Sequence, residues 1–402
     1  MPGLTILVLA PHPYYVDRGS PIDVDILVRA LSQRGDTVDL IVYREGEDRE
    51  YPGVTIHRAP VPEWVGSLRP GLSWKKLIAD LAVFRMARRL IARRRYDVIH
   101  AGEEAVFLAM WFRFRRGIPY VYDMDSSIAQ QVVEQKAWLA PFRRLFNWSE
   151  RQAIRKAIAV APVCNALADL ARAAPARHVT TLHDISQFSR EDFVPRGFLR
   201  DQLGISGTIL LYVGNLEPYQ GVDLLLEAFA RAAREDPEIQ LVVAGGSASL
   251  GAQYRSKARA LGIESRSHFI GPWPARKLGE LLAEADILTA PRIRGINTPM
   301  KVFPYLHSGR PVLATALPTH TQILDETVCE LAPADPEGFA RAILRLARDP
   351  DRRNRLGAAG RAFVERNHTW AAHRERVNAL YQAASRALGL AVVIQLVLTV
   401  SR

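Results

Sequence analysis

The feature that most constrains this chain is an alternation that runs twice. Short, almost wholly apolar segments at residues 5–10, 37–42, 54–58, 98–100, 120–122 and 159–163 are interspersed with helical periodicity, clearest at 22–34 and 73–95. After residue 200 the pattern restarts, with apolar segments at 209–213, 240–244, 268–270, 287–290 and 312–314 and a helix pattern over 222–234. A strand that is apolar on both faces must be covered on both, so the alternation predicts α/β architecture with parallel sheets between helices. Two doubly wound units joined near residues 185–205 suit 402 residues better than one core. The expected division is 1–195 and 196–368. A last helix pattern at about 370–388 has no second-unit strand after it and is expected to return to the first. In such sheets ligands gather beyond the carboxyl ends of the strands, so the segments just after each strand are the candidate sites.

Composition narrows the partners. Cys164 and Cys329 are the only cysteines and lie far apart, which argues against a disulfide framework and fits a reducing compartment. Neither has zinc-site spacing, so no structural zinc is expected. The opening MPGLTILVLAPHP lacks a basic leader and reads as a first strand. The apolar tail at 387–402 is shorter than the roughly 20 residues of a span and reads as interfacial or core-packed. The formal charge of +11 is concentrated: residues 61–160 hold 18 Lys/Arg against 9 Asp/Glu. A concentrated basic face suits an acidic partner such as phospholipid or a phosphorylated substrate, or is simply a solvated surface.

Four stretches could carry chemistry. In PHPYYVDRGSPID, Ser20 suits an N-cap and Pro21 the first helical position. Gly19 would let backbone approach a phosphate, and Arg18 adds a charge. In YVYDMDSS, Asp123 and Asp125 follow a strand end, where they could orient a hydroxyl or handle a proton, unless they merely cap a helix. In LLYVGNLEPYQGVD, Gly214 and Gly221 frame a loop offering Asn215, Glu217 and Gln220, and Gly245-Gly246 follows the next strand. In PRIRGINTPMKVFPYLHSG, Thr298 and Pro299 signal a helix start that puts Lys301 in the first turn. A cation there is unfavourable for the helix dipole unless it has an anionic partner. Pro304 would then fall inside the helix, at a cost of about 3 kcal/mol unless the helix bends.

The basic region has its own pattern. Trp74, Lys75, Lys76, Arg88 and Arg89 form part of one mixed aromatic and basic stripe, and Trp138, Arg143, Arg144 and Trp148 form a second. Such mixtures suit an anionic membrane surface, or a core-facing stripe backed by solvated charge. No helix-turn-helix, zinc-finger or RNP-like pattern occurs, so nucleic acid is not an expected partner.

Taken in order, VGNLEPYQGVDLLLEAF, VVAGG, FIGPWP, ADILTAP and NTPMKVFPYLHSGRPVLAT resemble the family 4 glycosyltransferases of the GT-B fold. The resemblance spans nearly the whole chain and is strongest over 208–330. It implies two Rossmann-like domains, a nucleotide-sugar donor held mainly by the second and an acceptor held by the first, with retention and no required metal or other cofactor. The acceptor would be lipid-linked, a polysaccharide or another cell-envelope glycan, and the protein cytoplasmic and peripheral on the inner membrane face. By position, Gly19 matches the loop near the donor phosphates, and Asp125 stands where many members have a histidine. Asn215 and Gln220 stand where the family usually has an arginine and a lysine. Ile296 and Pro304 replace its paired glutamates. The expected donor contacts are therefore Lys301 with Arg294 or Arg292, Asn297, Thr298 and the glycine turns. The competing readings are a non-catalytic module docking on membrane or a partner enzyme, and a GT-B epimerase or phosphorylase.

Overall fold

The computed structural model describes residues 3–15, 19–66, 73–135 and 137–400. The chain divides into two compact units, one running to His183 and resuming at His373, the other comprising Asp184–Ala372. The division thus falls earlier in the chain than the loop signals suggest.

The first unit holds a six-stranded, all-parallel sheet of β1 (Thr5–Leu9), β2 (Thr37–Val42), β3 (Val54–Arg58), β4 (Val98–Gly102), β5 (Tyr120–Met124) and β6 (Ala159–Pro162). Their order across the sheet is β3-β2-β1-β4-β5-β6, so the winding reverses between β1 and β4. Helices α1 (Gly19–Gln33), α2 (Trp74–Arg93), α3 (Ala105–Arg116), α4 (Ile128–Gln135), α5 (Arg143–Lys156) and α6 (Asn165–Ala173) supply the crossovers. The second unit repeats the plan with β7 (Thr208–Val213), β8 (Ile239–Ala244), β9 (Ser267–Gly271), β10 (Ile287–Ala290), β11 (Val312–Thr315) and β12 (Glu330–Ala332), in the order β12-β11-β10-β7-β8-β9. Here the reversal lies between β7 and β10. Its helices are α7 (Val222–Glu235), α8 (Ala248–Ala260), α9 (Leu278–Glu284), α10 (Val302–His307), α11 (Pro318–Thr321), α12 (Pro336–Arg348) and α13 (Pro350–Asn367).

Strand β7 shows why the apolar runs are continuous. Leu210 and Tyr212 enter one core cluster, and Ile209 and Leu211 the other, all fully buried. Both faces are covered, so neither set of positions can be polar. The last helix, α14 (Trp370–Val400), returns to the first unit. Its Tyr381 hydroxyl lies 2.8 Å from His100 Nδ1 on β4, with the two rings stacked and Arg34 over the tyrosine face. The side chains of the apolar tail from residue 390 onward lie outside the described residues. Among the described residues no helix is long and apolar enough to cross a membrane.

Two helix starts differ from the expectation. Helix α1 begins at Gly19, so Ser20 is not its cap; the Ser20 hydroxyl instead reaches Glu103 at 3.5 Å. Helix α10 begins at Val302 with Lys301 at the cap position, because residues 299–303 first form tight turns in which Val302 N–H donates to the Pro299 carbonyl and Phe303 N–H to that of Met300. Thr298 is thus no cap. Pro304 is the third helical residue, where no N–H would have an intrahelical partner, so the expected interior penalty does not arise.

The second unit's floor is set by two glycines in contact. Gly245 has φ 116°, and a side chain there would put Cβ 2.0 Å from the Gly214 carbonyl oxygen. Gly245→Ala is expected to cost roughly 2–4 kcal/mol of stability through backbone strain and displacement of the Gly214 turn, read as a lower urea midpoint with an unchanged slope.

Candidate functional site

In the second unit the candidate residues converge where the winding reverses, beyond β7 and β10. Lys301 extends back from the start of α10, so that its Nζ lies 3.3 Å from the Val213 carbonyl and 3.9 Å from the centre of the Tyr212 ring. A Cβ on Gly214 would meet the same amine at 2.9 Å, so the glycine is what admits it. Among the described residues no carboxylate forms an ion pair with Lys301. Burial first, and the neighbouring Arg292 charge second, push its pKa well below the ordinary lysine value. An anion bound here would offset that shift by favouring the charged amine.

The loop between β10 and α10 is tightly held. Arg292 is buried; its Nε donates to the Arg294 carbonyl, one terminal nitrogen donates to Asn297 Oδ1, and the guanidinium lies 5.3 Å from the centre of the Tyr219 ring. Thr319 donates to the Asn297 carbonyl and Gln322 to that of Ile296. Arg292, rather than the exposed Arg294, is therefore the arginine beside Lys301. Thr298 is 4% exposed, and its hydroxyl is buried without a partner. Gln220 is turned inward, with Oε1 likewise unpartnered, while Asn215 is exposed and reaches the Tyr219 hydroxyl at 3.4 Å. Gly246 packs against Leu216 and Gly221 against the Pro291 carbonyl, so packing alone explains both.

The first unit brings acids together at its own reversal point. Asp123 Oδ2 accepts from His100 Nε2 at 3.0 Å, and His100 Nδ1 accepts from the Tyr381 hydroxyl, which makes a buried Tyr-His-Asp chain. Asp125 is no cap, because Ser127 caps α4 through Gln130 N–H. Burial, followed by Asp123, Asp23 and Glu103, raises the Asp125 pKa well above the carboxylate range, so the site favours the protonated acid. Glu103 has a φ of 46°, a strained conformation for a residue with a side chain and of a kind that concentrates at functional sites. His12 donates through Nδ1 to the Pro13 carbonyl and is kept neutral chiefly by burial.

Gly19 has open space where a Cβ would be, whereas Arg18 lies outside the described residues. Lys76 does not belong to a surface stripe: it is 9% exposed and ion-paired with Glu104. Trp74, Trp138, Trp148, Arg88, Arg89, Arg143 and Arg144 are exposed, and Lys75 is half-buried over Trp74.

The sequence reading passed over His100, Glu103, His12 and His320. The first three could have been found by asking which polar residues lie in or just beyond strands flanking the reversal. Nothing local marks Tyr381, which meets His100 across 281 positions of chain. Among the described residues no group of three or more His, Cys, Asp or Glu side chains could hold a metal ion.

Comparisons with known proteins agree with this architecture. A family model described as "Glycosyl transferases group 1" matches residues 207–349, and one described as "Glycosyl transferase 4-like domain" matches residues 19–184. A D-inositol 3-phosphate glycosyltransferase of Corynebacterium diphtheriae is 26% identical over 95% of this chain and 90% of its own. Among solved structures, sucrose-phosphate synthase from Thermosynechococcus elongatus superposes with a TM-score of 0.78 at 20% identity, over 96% of this chain and 100% of its own. Anabaena HepE in complex with UDP and glucose superposes with a TM-score of 0.72 at 16% identity, over 94% and 100%. At these identities the structural likenesses speak for the fold.

Asp125 generates a stability prediction. Its raised folded pKa means that folding favours the protonated acid, so its contribution is present at low pH and lost as pH rises through the folded value. Asp125→Asn, neutral throughout, is expected to melt above the wild type by a margin that widens as the pH is raised from about 4 to 9. Thermal melts across that range check it; a constant or shrinking margin contradicts the assignment.

Proposed function

We propose, for a chain that belongs to the family 4 glycosyltransferases of the GT-B fold, that the second unit binds a nucleotide-diphosphate sugar through Lys301. The protein is a glycosyltransferase. The observation that carries the donor reading is the Lys301 amine, desolvated, without a carboxylate partner among the described residues and set against the floor made by Gly214. A diphosphate supplies the missing charge, Arg292 adds a second cation, and the side-chain-free Gly214 and Gly245-Gly246 turns let phosphate oxygens come close to the backbone. Anabaena HepE, with UDP and glucose bound, shares this fold.

In transfer, the bond from the sugar's anomeric carbon to the diphosphate oxygen breaks, and a bond from that carbon to an acceptor hydroxyl oxygen forms. The hydroxyl proton leaves with the diphosphate in a front-face, retaining reaction, for which the cations at Lys301 and Arg292 stabilise the departing charge. No step of this scheme calls on a metal. Asp125, whose raised pKa favours the protonated acid, offers a hydrogen-bond donor to the acceptor in the first unit, where Asp123 is fixed by His100. The proposed acceptor is a lipid-linked or cell-envelope glycan reached from the cytoplasmic face. The exposed Trp138, Phe142, Leu145 and Trp148 beside Arg143 and Arg144 support membrane docking, since exposed aromatics flanked by arginine fit the headgroup layer.

Two experiments test the reading. One of UDP, GDP, ADP or CMP should raise the melting temperature, and Lys301→Ala should remove that shift. Because an anion raises the Lys301 pKa, binding at a pH between its free and bound values should take up a proton, seen as a buffer-dependent heat in calorimetry across a pH series and absent in the variant. No shift with any nucleotide would remove the donor reading. For docking, Arg143→Glu with Arg144→Glu should weaken co-sedimentation with vesicles containing phosphatidylglycerol several-fold, with little effect on neutral phosphatidylcholine vesicles. Equal sedimentation with both vesicle types would contradict the docking.

A further inference from the structure

A histidine outside the signature stretch is left with a bare acceptor next to Lys301. His320, on α11, is fully buried, and its Nδ1 lies 3.0 Å from both the carbonyl and the hydroxyl oxygen of Thr315. A carbonyl can only accept, so Nδ1 carries the ring proton. The Thr315 hydroxyl is itself spent as a donor to the Arg292 carbonyl at 2.6 Å, which leaves its lone pairs to receive the same Nδ1–H. Both contacts therefore fix one tautomer. In that tautomer Nε2 is an unprotonated lone pair, and it is buried with no hydrogen-bond partner among the described residues. Burial, with the Arg292 and Lys301 charges, holds the ring pKa down at about 4, so Nε2 stays bare at neutral pH.

Buried acceptors are almost always satisfied, and one left bare beside a ligand site asks for a donor from the ligand. The neighbouring side chains make that donor a hydroxyl. Ile296 and Pro304 carry no acceptor, and the cations Arg292 and Lys301 are donors only. Of a nucleotide sugar, the phosphates bring acceptors to the cations, whereas the ribose and the transferred sugar bring O–H groups. We propose that His320 Nε2 accepts a hydrogen bond from a donor hydroxyl, on the ribose or on the transferred sugar, and so fixes that ring relative to the phosphates at Lys301.

The turn that carries His320 also holds the overlying loop, through Thr319 to the Asn297 carbonyl and Gln322 to the Ile296 carbonyl. Binding at the enclosed nitrogen therefore requires those loop hydrogen bonds to open. This assignment rests on the donor reading above.

The experiment uses the full chain and whichever of UDP, GDP, ADP or CMP binds it, together with the 2′-deoxy and 3′-deoxy forms of that nucleotide and its sugar conjugate. His320→Asn keeps an amide where Nδ1 lies and removes Nε2; His320→Gln returns an amide group toward the Nε2 position. If the ribose is the partner, His320→Asn weakens the ribonucleotide about tenfold and leaves one deoxy form unchanged. If the sugar is the partner, the variant removes only the added affinity of the conjugate. In either case His320→Gln recovers part of the loss. Equal weakening of every ligand, or none, means a purely structural histidine and overturns the inference while leaving the donor reading intact. Failure of the wild type to bind any nucleotide overturns both. A nitrogen-15 spectrum of histidine-labelled free protein gives a separate check: a protonated Nε2 on His320 overturns the inference whatever the nucleotides do.

Discussion

The second unit depends on one close approach of backbone to backbone, where the turn after β8 rests on the turn after β7. Gly245 N–H donates to the Gly271 carbonyl while its α-carbon lies against Gly214, so three strand ends are tied at one edge. That contact leaves Gly214 as a bare floor, and the bare floor is what lets a lysine from α10 lie across the end of β7. The chemistry proposed for this unit follows from a space only glycine leaves open.

Charge is arranged oppositely in the two units. In the second, Arg292 depresses the pKa of Lys301, and among the described residues no carboxylate forms an ion pair with Lys301. In the first, Asp123, Asp125 and Glu103 crowd together and raise the pKa of Asp125. Both arrangements oppose stability in the free protein, and such concentration of like charge is what a site for a complementary ligand requires. The replacement of two acids by Ile296 and Pro304 removes anionic acceptors but not acceptors as such, since His320 Nε2 and Gln220 Oε1 remain.

Much of the fold was legible because burial on both faces forces an unbroken apolar strand. Where that rule weakens, the reading weakens with it. β12 was missed because it is three residues long and begins with Glu330, a carboxylate that is 2% exposed only because Arg345 and Arg352 pair with it. The Thr298-Pro299 signal pointed to a helix a few residues early, since tight turns at 299–303 take the place of its first turn. Lys76 looked like surface charge because its partner, Glu104, comes from another strand end.

The sequence by itself determined the two parallel sheets, the places where their strands end, and the residue types waiting at those ends. Apolar periodicity and glycine position are local properties, and they survive without knowledge of partners. Only the tertiary structure decided which of those residues are bare and which are satisfied. Among the described residues Lys301 has no carboxylate partner whereas Lys76 is paired with Glu104, and burial and its like-charged neighbours raise the pKa of Asp125. Tyr381 is held to His100, and His320 is locked into one tautomer by Thr315. Those differences arise from contacts between distant segments and from the exclusion of water, and neither is written in any short stretch of chain.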